Sequence, residues 1–303
     1  MVQQESANRT IDQINFSETH ETRLYTQSHD AFNRILDASE TFKSRTILPG
    51  DGLNEAEGIV QYAVGTRNLQ PYATGSETQT VSFDPYTMTR THATQTTQIV
   101  SDTHTGRALS GTGRTESASE RVDERGNVLG TFQGTGVIEE SFIGLSQANG
   151  LGLVSRQTRN QSHDILFHLI TETDDQFTQQ VNGVGKVVGA HSVTQSETED
   201  EAGLGVRHTV ALTETDYRIA GNTPLATAVK TVEVSDNKFD SSYRIVVRED
   251  LTRYDPYGRI LPILDNKPQL SGFQSTTLQD ITIAPIPANP ETVEAIFKQH
   301  FGG

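Results

Sequence analysis

The chain has 303 residues and a formal net charge of −15, with 39 Asp and Glu against 24 Lys and Arg. Acidic charge spread along the whole chain argues against nucleic-acid binding, which depends on neutralising phosphates. No cysteine is present, which excludes a disulfide framework and any Cys-ligated metal site. Only 33% of the residues are hydrophobic, so we expect either sheet faces that look into water or a thin core.

The first residues contain no basic region followed by an apolar run, so we expect no signal peptide at this end. A cytoplasmic location and an extracellular location after leader removal both stay open. The sequence contains no apolar run of the length, roughly 18 residues, that a transmembrane helix needs. We therefore expect no transmembrane helix.

In chain order, the predicted segments are an N-terminal arm (1–19), a first β half (20–150), a second β half (154–285) and a C-terminal helix (289–301). Stretches rich in Thr, Val, Ile and Tyr alternate with turn sequences such as Asp84-Pro85 and Thr173-Asp174-Asp175. The turns lie about 15–25 residues apart, which predicts long strands joined as antiparallel hairpins. We count roughly ten to twelve strands, five or six in each half.

Within the first half, the stretch from Thr87 to Asp102 has no apolar face until its last residues. A strand of this kind is typical of an exposed sheet region protected by threonine and charge. The alternatives are a strand that lines a polar cavity and a strand that inserts elsewhere after a conformational change. The segment Ser28 to Phe42 carries helical spacing, although the matching segment of the second half is β-branched and aromatic.

The second half begins with an apparent repeat of the first. Gln27-Ser28-His29-Asp30 recurs as Gln161-Ser162-His163-Asp164, and the same offset carries Val100-Ser101-Asp102 onto Val234-Ser235-Asp236. A nearby offset carries Asp123 and Gly126 onto Asp255 and Gly258. Three anchors in the same order predict a tandem duplication. We expect a hairpin turn at each Asp-to-Gly segment, with the glycine at positive φ.

The C-terminal segment has consistent helix signals. Asn289 is a suitable N-cap, Pro290 suits the first turn, and Gly302 follows the end. Val293, Ile296 and Phe297 would form one apolar stripe that docks on the sheet. The predicted fold is thus all-β, with long antiparallel meander strands in two similar halves that form barrels or a curved sandwich, and a short C-terminal helix.

The duplicated Ser-His-Asp sequence does not predict a catalytic triad, because adjacent residues cannot converge with the His between its partners. Asp30 instead suits a turn that accepts backbone N–H groups. The functional alternative is a pair of ligand or metal sites where the halves meet, formed by His29, Asp30, His163 and Asp164.

Acidic turns are weak calcium candidates, with Glu199 and Asp200 in one turn and Asp236 and Asp240 in another. No EF-hand or other calcium motif accompanies them, so solvated acidic loops are the simpler interpretation. The sequence identifies no cofactor.

Because no catalytic motif is found, the sequence favours a non-catalytic binding protein that encloses an amphipathic or hydrophobic small ligand. The first alternative is a structural or surface protein that self-associates through long Thr-rich strands. The others are a β-pore-forming protein and a lipocalin-like scaffold enzyme that acts by orienting its ligand.

Overall fold

The computed structural model describes residues 2–302 apart from 13, 15, 67–69, 146–150, 165, 166, 183–185, 201, 203, 221, 222, 239, 240, 256, 262–272, 283 and 284. The chain divides into two compact units. Unit 1 contains Met1–Leu145 and Asn149–Gly152, and unit 2 contains Ser146–Ala148 and Leu153–Gly303.

Unit 1 is an antiparallel meander in which each strand pairs with the next along the chain. Its strands are β1 (Val2–Asp12), β2 (Ser17–His29), β3 (Ile35–Leu48), β4 (Gly52–Val64), β5 (Pro71–Asp84), β6 (Thr89–Ser101), β7 (Ala108–Val122) and β8 (Val128–Gly144). A single 3-10 turn, Pro49–Asp51, joins β3 to β4. Connections this short permit only antiparallel neighbours, because a parallel pair needs a crossover of a dozen or more residues.

Unit 2 continues the same pattern and ends in the C-terminal helix. It contains nearly all of β9 (Leu151–Asp164), followed by β10 (Leu169–Val181), β11 (Val187–Asp200), β12 (Gly205–Ala220), β13 (Thr223–Asn237), β14 (Ser242–Thr252), β15 (Phe273–Thr282) and α1 (Pro290–Phe301). The Asn289 side chain accepts the Thr292 N–H at 2.8 Å and caps the helix. Val293 and Phe297 are buried against β12 and β13.

The predicted all-β antiparallel meander with a short C-terminal helix is confirmed. The meander is not closed into a barrel: among the described residues, the first and last strands of neither unit pair with each other. The strands are also more numerous than expected, because turns such as those at Pro49–Asp51, Asp102 and Asn182 were not predicted. Conversely, Thr173–Asp175, predicted as a turn, lies inside β10. Its acids have partners on neighbouring strands, since Asp175 accepts the Thr194 hydroxyl at 2.7 Å.

Turns in both units recur with a period of 18 residues that the sequence reasoning did not recognise. Asp12 and Asp30 are 18 residues apart, as are Asp84 and Asp102 (30 − 12 = 102 − 84 = 18). In unit 2 the same spacing joins Asp164, Asn182 and Asp200. Each of these side chains accepts a backbone N–H from two to four residues further on, an Asx-turn geometry. The repeating element is therefore one strand with its turn.

The segment with helical spacing, 28–42, follows this turn pattern. Asp30 closes a turn between β2 and β3, and the chain resumes as a strand at Ile35. Pairing with β2 and β4 on both sides supplies the backbone hydrogen bonds of β3. The local helical spacing is thus overridden by sheet pairing.

Most of the buried apolar residues lie in unit 2. Its core contains Val210, Leu212, Val232, Val234, Val247, Ala288, Val293 and Phe297, where α1 covers the sheet. In unit 1 the buried hydrophobic residues among those described are Ala38 and Val122. The expectation of a thin core therefore applies above all to unit 1.

The accessible surface supports this description. The chain exposes 18859 Å², whereas two separate globular domains of half its mass would expose about 15,000 Å² in total. This excess agrees with the small number of buried apolar residues in unit 1. Within the described residues, no helix combines the length and apolar character that a bilayer crossing requires.

Candidate functional site

One face of unit 1 carries a continuous row of small polar side chains across seven strands. Each member pairs with the next in register: Thr10, Thr19, Thr46, Asn54, Ser82, Thr91 and Ser119, called here the hydroxyl row. Residues directly opposite each other on paired strands lie on the same face. Two of these cross-strand pairs are hydrogen-bonded: the Thr19 and Thr46 hydroxyls are 2.9 Å apart, and the Thr91 and Ser119 hydroxyls are 2.8 Å apart. The row thus forms a flat, partly self-satisfied polar strip.

A groove of 800 Å³ lies where the hydroxyl row meets the β3–β4 and β5–β6 turns. We call it the turn-edge groove. Its apolar lining is Leu48, Pro49, Leu53, Phe83, Pro85 and Tyr86, and its polar lining includes Asn54, Ser82, Thr87, Thr89, Thr91 and Gln133. Its volume is within the range of small-ligand sites, about 300–1,000 Å³. Apolar and polar groups therefore share one small-ligand-sized concavity.

The turns give the groove its apolar side. Asp84 begins the β5–β6 turn by accepting the Tyr86 N–H at 2.9 Å, and hydrogen bonds from this turn lower the pKa of Asp84. Tyr86 is 82% exposed and lies over Gly50. Gly50 belongs to the β3–β4 turn, which is at the same end of the strands as the β5–β6 turn. A Cβ atom at Gly52 would lie 3.1 Å from Leu48 Cβ and 3.4 Å from Pro85 Cδ, so a larger residue there would require Leu48 to shift by a few tenths of an ångström.

The most unusual group in the groove is the amide of Gln133. Its Nε2 atom is buried and makes no hydrogen bond. Gln133 lies beside an irregularity in the β7–β8 pairing, where Ser119 pairs with Gly134 and Glu120 with Phe132. Bulges of this kind redirect side chains and are frequent near binding sites. An unpaired buried amide costs about 1–3 kcal/mol, and this amide belongs to a residue that lines the groove.

Basic side chains of β3 and acidic side chains of β4 form a charged surface on the sheet face opposite the hydroxyl row. A second concavity of 680 Å³ includes Lys43, Arg45, Glu55 and Glu57 in its lining. Lys43 pairs with Glu57 at 2.9 Å and Arg45 with Glu55 at 3.4 Å. These ion pairs are solvated and already neutralise one another. The turn-edge groove is consequently the better candidate for a binding site.

The candidate site residues His29 and Asp30 end β2 and begin its turn. Asp30 accepts the backbone N–H groups of Phe32 at 2.8 Å and Arg34 at 2.9 Å, and the Arg34 guanidinium at 2.6 Å. The hydrogen bonds from Arg34 lower the pKa of the Asp30 carboxyl. The Asp30 carboxylate is therefore used to shape its own turn.

His163 and Asp164 occupy the corresponding position in unit 2, at the end of β9. Asp164 accepts the Phe167 N–H at 3.2 Å, and His163 pairs in register with Ile170 of β10. These two residues lie in unit 2, whereas His29 and Asp30 lie in unit 1. A shared ligand site remains a prediction.

Two of the weak calcium candidates, Asp200 and Asp236, accept backbone N–H groups. Asp200 accepts the Ala202 and Leu204 N–H groups, and Asp236 accepts the His208 N–H at 2.9 Å. Glu199 lies in β11, and Asp240 is outside the described residues. No group of three or more His, Asp or Glu side chains in the described part of the chain is arranged to hold a metal ion.

The two Asp-to-Gly segments form tight turns of matching geometry. Gly126 has φ 82° and donates its N–H to the Asp123 carbonyl at 2.9 Å. Gly258 has φ 83° and donates to the Asp255 carbonyl at 3.0 Å. At positive φ, glycine avoids the steric cost that other residues incur.

No protein-family model and no curated protein matches the chain. Among solved structures, it is similar to a porin-like protein from Bacteroides uniformis at 11% identity, over 76% of this chain and 95% of that chain, with a TM-score of 0.15. At so low a TM-score, the similarity carries no argument about fold or function.

The sequence analysis missed Gln133 and Tyr86 as site residues. Tyr86 had a usable signal, because it lies two residues after Asp84, one of the turn residues that recur with the 18-residue period. The sequence gives no such signal for Gln133, because the position of its side chain depends on an irregular β7–β8 register. Thr91, singled out in the unusual polar strand, does line the groove.

Proposed function

We propose that unit 1 is a non-catalytic binding module that takes up an amphipathic small molecule in the turn-edge groove. The observation that carries this proposal is the buried, unpaired Gln133 Nε2 in the lining of an 800 Å³ groove. Buried polar groups without partners are rare in native proteins. A ligand acceptor atom would satisfy the amide once the Gln133 side chain turns its Nε2 toward the groove.

The lining determines the kind of ligand. Leu48, Phe83 and Tyr86 offer apolar contact, and aromatic side chains provide large contact areas at low entropic cost. Asp84 lies in the same lining, and its lowered pKa keeps it ionised at neutral pH. A neutral acceptor such as an amide carbonyl therefore fits better than a carboxylate or phosphate, which Asp84 would repel.

Binding without chemistry is favoured by the lining groups. Among the described lining residues, the titratable ones are Asp84 and Tyr86. The Asp84 carboxylate is engaged by its own turn. A general base needs a pKa near the working pH, whereas the hydrogen bonds of the turn lower the pKa of Asp84 still further below neutral pH.

Isothermal titration with a long-chain N-alkylacetamide tests the proposal. We expect saturable binding to the whole chain, weakened at least tenfold by Gln133→Leu and by Tyr86→Ala. Tyr257→Ala is the matched control, because Tyr257 is 83% exposed and follows an equivalent Asp turn in unit 2. Equal binding by the wild type and the Gln133→Leu and Tyr86→Ala variants, or no binding to the wild type, would refute the proposal.

A further inference from the structure

The outer edge of β1 is open and long. Ten of the eleven residues of Val2–Asp12 are exposed. The strand pairs with β2 over its full length without a register shift, and within the described residues no strand pairs with its other edge. An unpaired edge of this length presents a row of backbone N–H and C=O groups that can accept a further strand.

The sequence of β1 carries the charged residues Glu5, Arg9 and Asp12 but lacks the other devices that usually protect an edge. Proteins block edge strands with proline, lysine, bulges or short length. The strand VQQESANRTID contains no proline, lysine or glycine. An edge strand without a bulge is thus suited to pairing by β-augmentation.

The charges of β1 are complementary to those of a second copy in the register that pairs the strand over its whole length. If two β1 strands pair antiparallel with Ala7 opposite Ala7, Glu5 of each copy faces Arg9 of the other. Ser6 then faces Asn8, and all eleven residues find a partner. Opposite charges directly across a strand pair stabilise it, and like charges destabilise it. Of the antiparallel registers, only this one brings Glu5 opposite Arg9.

The side chain of Arg9 can serve both copies. Its Nε donates to Glu18 at 2.6 Å within the same chain, and the side chain is 60% exposed. A guanidinium has five N–H donors in a fixed fork, so it can contact Glu18 and the Glu5 of a second copy together.

We propose that two copies of the chain associate through a two-fold antiparallel β1–β1 interface centred on Ala7. The same surface patch then serves both copies, which is the commonest form of homodimer. The turn-edge groove is formed by β3 to β6 and β8, so this proposal stands independently of the proposed ligand.

Charge-swap variants test the interface by light scattering on size-exclusion fractions. We expect the wild type to show twice the monomer mass of 33.2 kDa. Glu5→Arg and Arg9→Glu should each be monomeric, because like charges then face each other. Mixing the two variants should restore a dimer, since both facing pairs are complementary in the mixture. Circular dichroism checks that each variant keeps its strand content.

Disulfide trapping tests the register itself. The chain has no cysteine, so Ala7→Cys introduces a single thiol that would face its counterpart across the two-fold axis. Directly opposed strand residues lie within the Cα separation that a disulfide needs, about 4.4–6.8 Å. Thr10→Cys is the control, because Thr10 would face Gln4 and lie far from its own counterpart.

We expect rapid cross-linking of Ala7→Cys and none of Thr10→Cys. A monomeric wild type at all accessible concentrations would overturn the proposal. So would a dimer that Glu5→Arg leaves unchanged, or equal cross-linking of the two thiol variants.

Discussion

Replacing Gln133 by leucine should make the free protein more stable while it abolishes ligand binding. The Gln133 Nε2 atom is buried and unpaired, and leaving such a group without a partner costs about 1–3 kcal/mol. Leucine has a similar size and requires no hydrogen bond, so most of this cost should disappear. For a domain of roughly 150 residues, each kcal/mol raises Tm by about 2–4 °C. The expected increase is therefore about 2–12 °C.

Differential scanning calorimetry on the ligand-free protein measures this change. Gln95→Leu is the matched control, because Gln95 is exposed on β6 and a surface substitution usually changes stability by less than about 0.5 kcal/mol. Gln133→Glu keeps the shape but replaces the donor by a buried acceptor, so its Tm should fall. If Gln133→Leu lowers Tm or leaves it unchanged, the amide has a partner in solution and the argument for the groove fails.

Three further predictions concern stability. Gly258→Val should lower the free energy of unfolding by about 1–2 kcal/mol or more, because Gly258 has φ 83° and a Cβ there would lie 3.1 Å from Leu225; an unchanged denaturation midpoint would contradict the turn assignment. Thr91→Ala should cost about 0.5–1.5 kcal/mol in urea unfolding, since it removes one hydrogen bond, to Ser119; complete unfolding would mean that β6 belongs to an ordinary core. Hydrogen bonds lower the pKa of Asp30 in the folded state, so this carboxylate stabilises the protein above its unfolded pKa, about 4, and the stabilisation is lost as pH falls through the folded pKa. Asp30→Asn should thus reduce the acid sensitivity of Tm below pH ~4, and an identical pH profile would refute this role.

The strands were predictable because their turns carry a local chemical signal. Asp84-Pro85 and Asp123 to Gly126 are turn sequences by composition alone, and both lie between strands. The helix at Pro290–Phe301 was predictable for the same reason, since its cap and its proline are adjacent in sequence. Local hydrogen bonding within a few residues decides both kinds of element.

The groove was not predictable, because it depends on register and on close approach between turns. Tyr86 lies over Gly50 of the β3–β4 turn, and the sequence of neither segment carries a signal that predicts this approach. Thr173–Asp175 misled the prediction, because acids that favour turns in isolation also fit a strand whose faces are open to neighbouring polar groups. Low hydrophobic content did indicate uncovered faces, although it did not say which unit has them.

The near absence of a buried core in unit 1 affects how that unit holds together. Its strands contact mainly the strand before and the strand after, so its free energy is the sum of successive pairings, as in a linear repeat protein. Such contacts are close in sequence and form quickly, because little chain entropy is lost in closing each hairpin. Folding can begin at any hairpin and spread outward strand by strand. An inserted or deleted pair of strands would change the length of this series while leaving every other pairing in place.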